Sequence, residues 1–155
     1  MPTRRSFLIQ TATAAPALWL ASHATPALAS EPPVFQRRGR AIGGTDPVAY
    51  FTQGAPVDGS RAITHDWMGA TWRFASEDHR AMFVADPVRY APQFGGYCSW
   101  AVSQGYTAHG DKDAWTVHDG KLYLNYNKSV RNRWSGDIPG NVSKGKANWP
   151  KVLGG

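Results

Sequence analysis

Cysteine is nearly absent from this chain: Cys98 is the one thiol in 155 residues. A single thiol excludes an intramolecular disulfide framework, and it excludes any zinc finger or iron–sulfur cluster that takes several thiolates from one chain. Acids are also scarce, 11 Asp and Glu against 17 Lys and Arg, a formal net charge of +6. The basic excess is dispersed, its densest run being Arg37-Arg38-Gly39-Arg40, with no recognisable nucleic-acid module around it, so no nucleic-acid partner is expected. Gly-x-Ser-x-Gly, a phosphate-cradling glycine loop and His-Glu-x-x-His are all missing from the chain beyond residue 29. The usual marks of a hydrolase, a nucleotide-dependent enzyme and a zinc protease are missing with them. Long repeats are absent, and no apolar run reaches the roughly 20 residues of a membrane-spanning helix.

What is present is aromatic. Seven Trp, six Tyr and six Phe accompany 16 Gly and 11 Pro, a composition that suits a small, loop-rich globule with an aromatic core. The first 29 residues have a different character. Thr3-Arg4-Arg5-Ser6-Phe7-Leu8 precedes an uncharged stretch ending in Ala27-Leu28-Ala29, the anatomy of a twin-arginine export signal with an Ala-x-Ala cleavage site. Pro16, Ser22, His23 and Pro26 break its apolar part, so no stable membrane span is expected after cleavage, and the expected location is the periplasm. Residues 30–40 then read as an extended leader whose Phe35 packs on the body, and residues 41–153 as the domain.

Within the domain, Asp46-Pro47 turns into the apolar Val48-Ala49-Tyr50-Phe51. The alternation Thr71-Trp72-Arg73-Phe74 after Gly69 predicts a β-hairpin. Ser76 followed by Glu77-Asp78 caps a helix that continues through Phe83 until Asp86-Pro87 stops it. Gly95-Gly96 opens a short helical segment around Cys98 and Trp100, closed by Gly105. The strongest local signal is Asp119-Gly120 between Ala114–His118 and Lys121–Tyr126, which predicts a type I′ hairpin. Helical segments follow from Lys128, with Val130 and Trp134 on one face and an interruption at Ile138-Pro139-Gly140. Strands mixed with short helices make an α+β fold: one small domain of short antiparallel hairpins and several short helices.

Few residues are equipped for chemistry. Cys98 reads as a packed thiol, a soft-metal ligand, or a thiolate nucleophile with His109 as base. His65 and Met68, and His79 and Met82, repeat one i, i+3 spacing; imidazole, thioether and thiolate together suit copper, although core methionines with surface histidines give the same pattern. Tyr97, Trp100, Tyr106 and Trp115 read either as packing or as the lining of a ligand groove.

Five segments together carry a resemblance: Gly44-Thr45-Asp46-Pro47-Val48-Ala49-Tyr50-Phe51, Gly69–Ser76, Phe83-Val84-Ala85-Asp86-Pro87-Val88-Arg89-Tyr90, Gly95-Gly96-Tyr97-Cys98 and Leu122-Tyr123-Leu124-Asn125-Tyr126. Over residues 41–153 the chain resembles the exported YHS-domain proteins of bacteria. The resemblance implies a small α+β domain related to modules that bind copper or mercury through cysteines. At the matching positions this chain has Ala49, Ala75 and His79, so the thiolate set does not carry over and His79 alone keeps ligand chemistry. The expectation is therefore a non-enzymatic exported binding protein. Copper or zinc would sit on Cys98 and His79 with His109 or His65 completing the set. The alternatives are a small-molecule or protein binder with an aromatic groove, and an enzyme with Cys98 as nucleophile.

Overall fold

The computed structural model describes residues 30–154, so the expected signal at 1–29 lies outside the described residues. These residues form a mixed α+β domain, as the alternation of strand and helix signals predicts. One sheet has four strands, β1 (Gln36–Arg37), β2 (Arg40–Ala41), β3 (Ser60–Trp67) and β4 (Ala70–Phe74), in the spatial order β1-β2-β4-β3. Its neighbours run antiparallel except β2 and β4, which pair parallel with Arg40 opposite Thr71. The second sheet is the antiparallel hairpin of β5 (Asp111–His118) and β6 (Lys121–Asn125).

Three hairpins turn on the same two-residue device. Arg38-Gly39, Met68-Gly69 and Asp119-Gly120 have φ of 54° and 72°, 53° and 73°, and 49° and 70°. Positive φ at both central residues is what a type I′ turn requires, and glycine in the second position adopts it without a Cβ clash. The first of these hairpins falls in the segment expected to be an extended leader. There the basic run folds back on itself and adds β1 and β2 to the sheet, while Val34 is buried and Phe35 hydrogen-bonds through its backbone to Gly95 and Ile42.

Six helices complete the fold: α1 (Ala49–Thr52), α2 (Glu77–Ala85), α3 (Pro87–Tyr90), α4 (Ser99–Ser103), α5 (Lys128–Ser135) and α6 (Ile138–Asn148). Side chains preceding the longer helices accept from their first free amides: Ser76 from His79 N at 3.1 Å, Asn127 from Val130 N at 2.8 Å and Asp137 from Gly140 N at 3.0 Å. Pro139 does not interrupt the last helix, because it stands in the first turn where its missing N–H has no partner to lose.

Strand β6 divides the interior. Successive side chains of a strand point to opposite faces, so Leu122 and Leu124 enter one apolar cluster with Trp72, Phe74 and Phe83, and Tyr123 enters another with Phe94, Val102 and Trp134. Phe83 is the hub of the first cluster, with ring centroids 5.0 Å from Trp72, 5.2 Å from Phe74 and 5.7 Å from Trp67. Replacing it should be costly. Phe83→Ala is expected to lower the unfolding free energy by about 3–5 kcal/mol, the range for deleting a buried aromatic; a loss of under ~1 kcal/mol in urea titration would show that α2 is not anchored through this ring.

Candidate functional site

Asp46 and His79 meet in the interior. Asp46 is fully buried, and each of its carboxylate oxygens accepts two hydrogen bonds. Oδ1 accepts from Val48 N at 2.9 Å and Ala49 N at 3.3 Å, opening α1. Oδ2 accepts from Ala75 N at 2.8 Å and from His79 Nδ1 at 2.6 Å. The remaining nitrogen, His79 Nε2, lies 3.1 Å from Thr52 Oγ1, whose hydroxyl donates to the Val48 carbonyl at 3.2 Å. Both ring nitrogens are thus engaged, and a metal ligand needs one with a free lone pair. His79 acts here as a clasp between α1 and α2.

Cys98 is 1% exposed, and its thiol donates to Asn125 Oδ1 at 3.6 Å, an oxygen that also accepts from Trp100 N at 3.0 Å. Burial pushes the thiol pKa up, partly opposed by the backbone amides of Ala101, Tyr126 and Trp100. A buried, protonated thiol is neither a ready nucleophile nor a ready ligand. The backbone brings His109 beside it, since Cys98 N donates to Ala108 O at 2.8 Å and Tyr97 pairs with His109. The imidazole itself stacks elsewhere, 4.3 Å from the Tyr126 ring and 6.1 Å from that of Phe35. His65 lies on β3 opposite Trp72, its ring 6.3 Å from Phe83. The four expected ligands therefore keep four separate sets of partners, and among the described residues no group of three or more His, Cys, Asp or Glu is placed to hold a metal ion. The sorting of the His and Met pairs is also corrected: His79 is buried and Met68 is half exposed, because Met68 occupies the hairpin turn.

The expected aromatic groove is not assembled either. Tyr97 is buried and donates its hydroxyl to Pro32 O, Trp100 lies under the Arg133 guanidinium, Trp115 packs on Tyr50, and Tyr106 is exposed. A different apolar cavity, of about 420 Å³, lies between Trp67, Trp72, Phe94 and Trp149.

A polar cleft of about 480 Å³ opens between the two sheets. One wall carries Arg37 and Arg40 from the first hairpin, Arg61 from β3 and Arg73 from β4; the other carries Asp111, Lys112 and Asp113 of β5, with Asp58 beside them. Ion pairs among the described residues are His79–Asp46, Arg80–Glu77, Lys112–Asp58 and His118–Asp119, so none of these four arginines has one. The Nε atoms of Arg40 and Arg73 are buried with no hydrogen-bond partner. A Cβ built on Gly44 would lie 3.4 Å from the Cδ of both, so the two arginine stems flank one point of backbone. Desolvation, then Arg40 and Arg61, lower the Arg73 pKa from its ordinary value. Buried donors are normally paired, and here two are not, in side chains that line the cleft. No catalytic motif marks these arginines in the sequence; the one signal that could have found them is Gly39 inside the basic run, which permits the hairpin that swings Arg40 beside β4.

Set against known proteins, the chain matches no family model, no curated protein and no solved structure.

Two measurements check this description. Asp46→Ala should cost about 3–5 kcal/mol, as for other broken buried pairs, against about 1 kcal/mol for the cap variant Ser76→Ala; equal costs in denaturant titration would reduce the clasp to an ordinary cap. Cys98 should react with a small alkylating reagent only as fast as the domain opens, and labelling of the native protein at the rate of a free thiol would overturn its placement.

Proposed function

We propose that this chain is a non-enzymatic binding protein that holds a small anionic molecule in the arginine cleft. The observation that carries the reading is the pair of buried, unpartnered Nε donors on Arg40 and Arg73. Each is an unpartnered donor of a guanidinium fork, a group that receives a carboxylate or phosphate through two parallel hydrogen bonds. The cleft volume falls in the range of ~300–1,000 Å³ typical of small-molecule sites.

Export through the twin-arginine route and a place among the YHS-like proteins belong to the same proposal, supported by the Arg4-Arg5 signal anatomy and the five resembling segments. Copper or zinc bound through Cys98 and His79 is the less favoured ligand, because it requires His79 to release Asp46 or Thr52 and Cys98 to leave Asn125.

Thermal unfolding tests the reading. Sulfate, phosphate and citrate, compared with chloride at equal ionic strength, should raise the Tm saturably; a ligand at about 100 times its Kd contributes ~2.7 kcal/mol. Arg73→Gln should remove the effect, whereas Arg80→Gln, which breaks only the surface pair with Glu77, should retain it. Equal stabilisation of both variants would overturn the proposal. So would copper or zinc bound stoichiometrically to the purified protein and lost on Cys98→Ser.

A further inference from the structure

The cleft is polarised as well as basic. Its basic wall belongs to the four-stranded sheet and its acidic wall to β5 and the turn at Asp58. Tyr50 reports on the acidic side. Its hydroxyl donates to the Lys112 carbonyl at 2.9 Å. Burial, followed by Asp113, Asp111 and Asp58, holds its phenol well above the ordinary range, so the three carboxylates converge on one side. Lys112 is committed to Asp58 at 2.9 Å. What remains is four unpaired arginines facing Asp111 and Asp113, an excess of two positive charges.

Resting on the anion-binding reading of this cleft, we propose that its ligand is a phosphate monoester with a small, uncharged, hydroxylated body. The phosphate sits on the arginine wall, and hydroxyls of the body donate to Asp111 and Asp113.

Three features select this class. A phosphate monoester carries close to two negative charges near neutral pH, which matches the excess and places both at one end. A dicarboxylate of the same total charge has its second carboxylate at the far end, against Asp111 and Asp113, where like charges repel. A monocarboxylate or a zwitterion leaves one or both surplus charges uncompensated. Guanidinium groups carried on β1, β2, β3 and β4 also suit a group whose three oxygens accept from several directions better than a planar carboxylate. Gly59 lets the loop before β3 pack directly on β4, since a Cβ there would come within 2.4–2.6 Å of Arg73 backbone and Cβ atoms.

Calorimetric titration of the folded chain with glycerol 3-phosphate, its methyl diester, succinate and inorganic sulfate tests the class. The monoester should bind at least tenfold more tightly than the diester or succinate. Its affinity should fall about tenfold from pH 7.5 to pH 5, because its second ionisation lies near ~6, while sulfate, dianionic throughout, should change little over the same range. Arg37, Arg40, Arg61, Arg73 and Lys112 with Asp58, Asp111 and Asp113 are the charged groups lining the cleft, and no histidine is among them. Arg61→Ala removes an exposed side chain on β3 and leaves the core untouched; it should weaken the monoester at least tenfold without lowering the Tm of the ligand-free protein. Diester or succinate binding as tight as the monoester, or sulfate binding without any monoester preference, would overturn the phosphate assignment and leave the anion reading standing. Failure of every anion to bind the folded protein would overturn both.

Discussion

The Asp46 carboxylate is the constraint on which this fold turns. A carboxylate removed from water must find donors nearly equal to those it gave up, and Asp46 finds four: two amides at the start of α1, one at the end of β4 and the His79 ring at the start of α2. Its own amide donates to Val57 at 2.8 Å, and one step away Gly59 N donates to Gly44 O at 2.9 Å. The loop before α1 and the loop before β3 are thereby fixed to each other. Those two loops, with Gly44 and Gly59, are the backbone of the arginine cleft. The segment anchored by the Asp46 carboxylate is thus continuous with the backbone that lines the cleft between Arg40 and Arg73.

A second constraint comes from β6. Its alternation feeds two apolar clusters at once, so the hairpin cannot slip by one residue without exchanging Leu122 and Leu124 for Tyr123 in both. The type I′ turn at Asp119-Gly120 holds that register. The turn fixes the pairing as far as Trp115 opposite Leu124; beyond it the register shifts, with Asp111 opposite Asn125, and this irregular stretch carries Asp111 and Asp113 into the cleft.

Local patterns were enough to read most of this architecture. The Asp-Gly hairpin, the Trp72 hairpin, the Ser76 cap and the Asp86-Pro87 stop are all decided by a few neighbouring residues, and such rules work within one turn or one hairpin. The first hairpin was hidden because its turn is Arg38-Gly39 rather than Asn-Gly or Asp-Gly, and because three basic residues in four look like a solvated leader. The site was less legible still. His79 looked available because its partners, Asp46 and Thr52, lie 33 and 27 residues away. Arg37, Arg40, Arg61 and Arg73 come from three segments, and nothing in their spacing shows that they share a wall. A cluster assembled by topology leaves no periodic trace.

The arrangement of like charges is itself an argument about function. Arginines spread over a surface keep their hydration and cost little; Arg40 and Arg73 instead flank the same glycine, with Arg61 near enough to lower the Arg73 pKa. Three carboxylates stand across the same cleft, yet none forms an ion pair with an arginine. Paired across the gap, these groups would neutralise one another and fill the space. Held apart on the two sheets, they leave uncompensated donors on one side and acceptors on the other, a polarity that a ligand with an anionic head and a hydroxylated body would satisfy at both ends. Folding is carried elsewhere, by the aromatic cluster around Phe83 and the clasp at Asp46, so the cleft is free to retain an electrostatic tension that a bound anion would relieve.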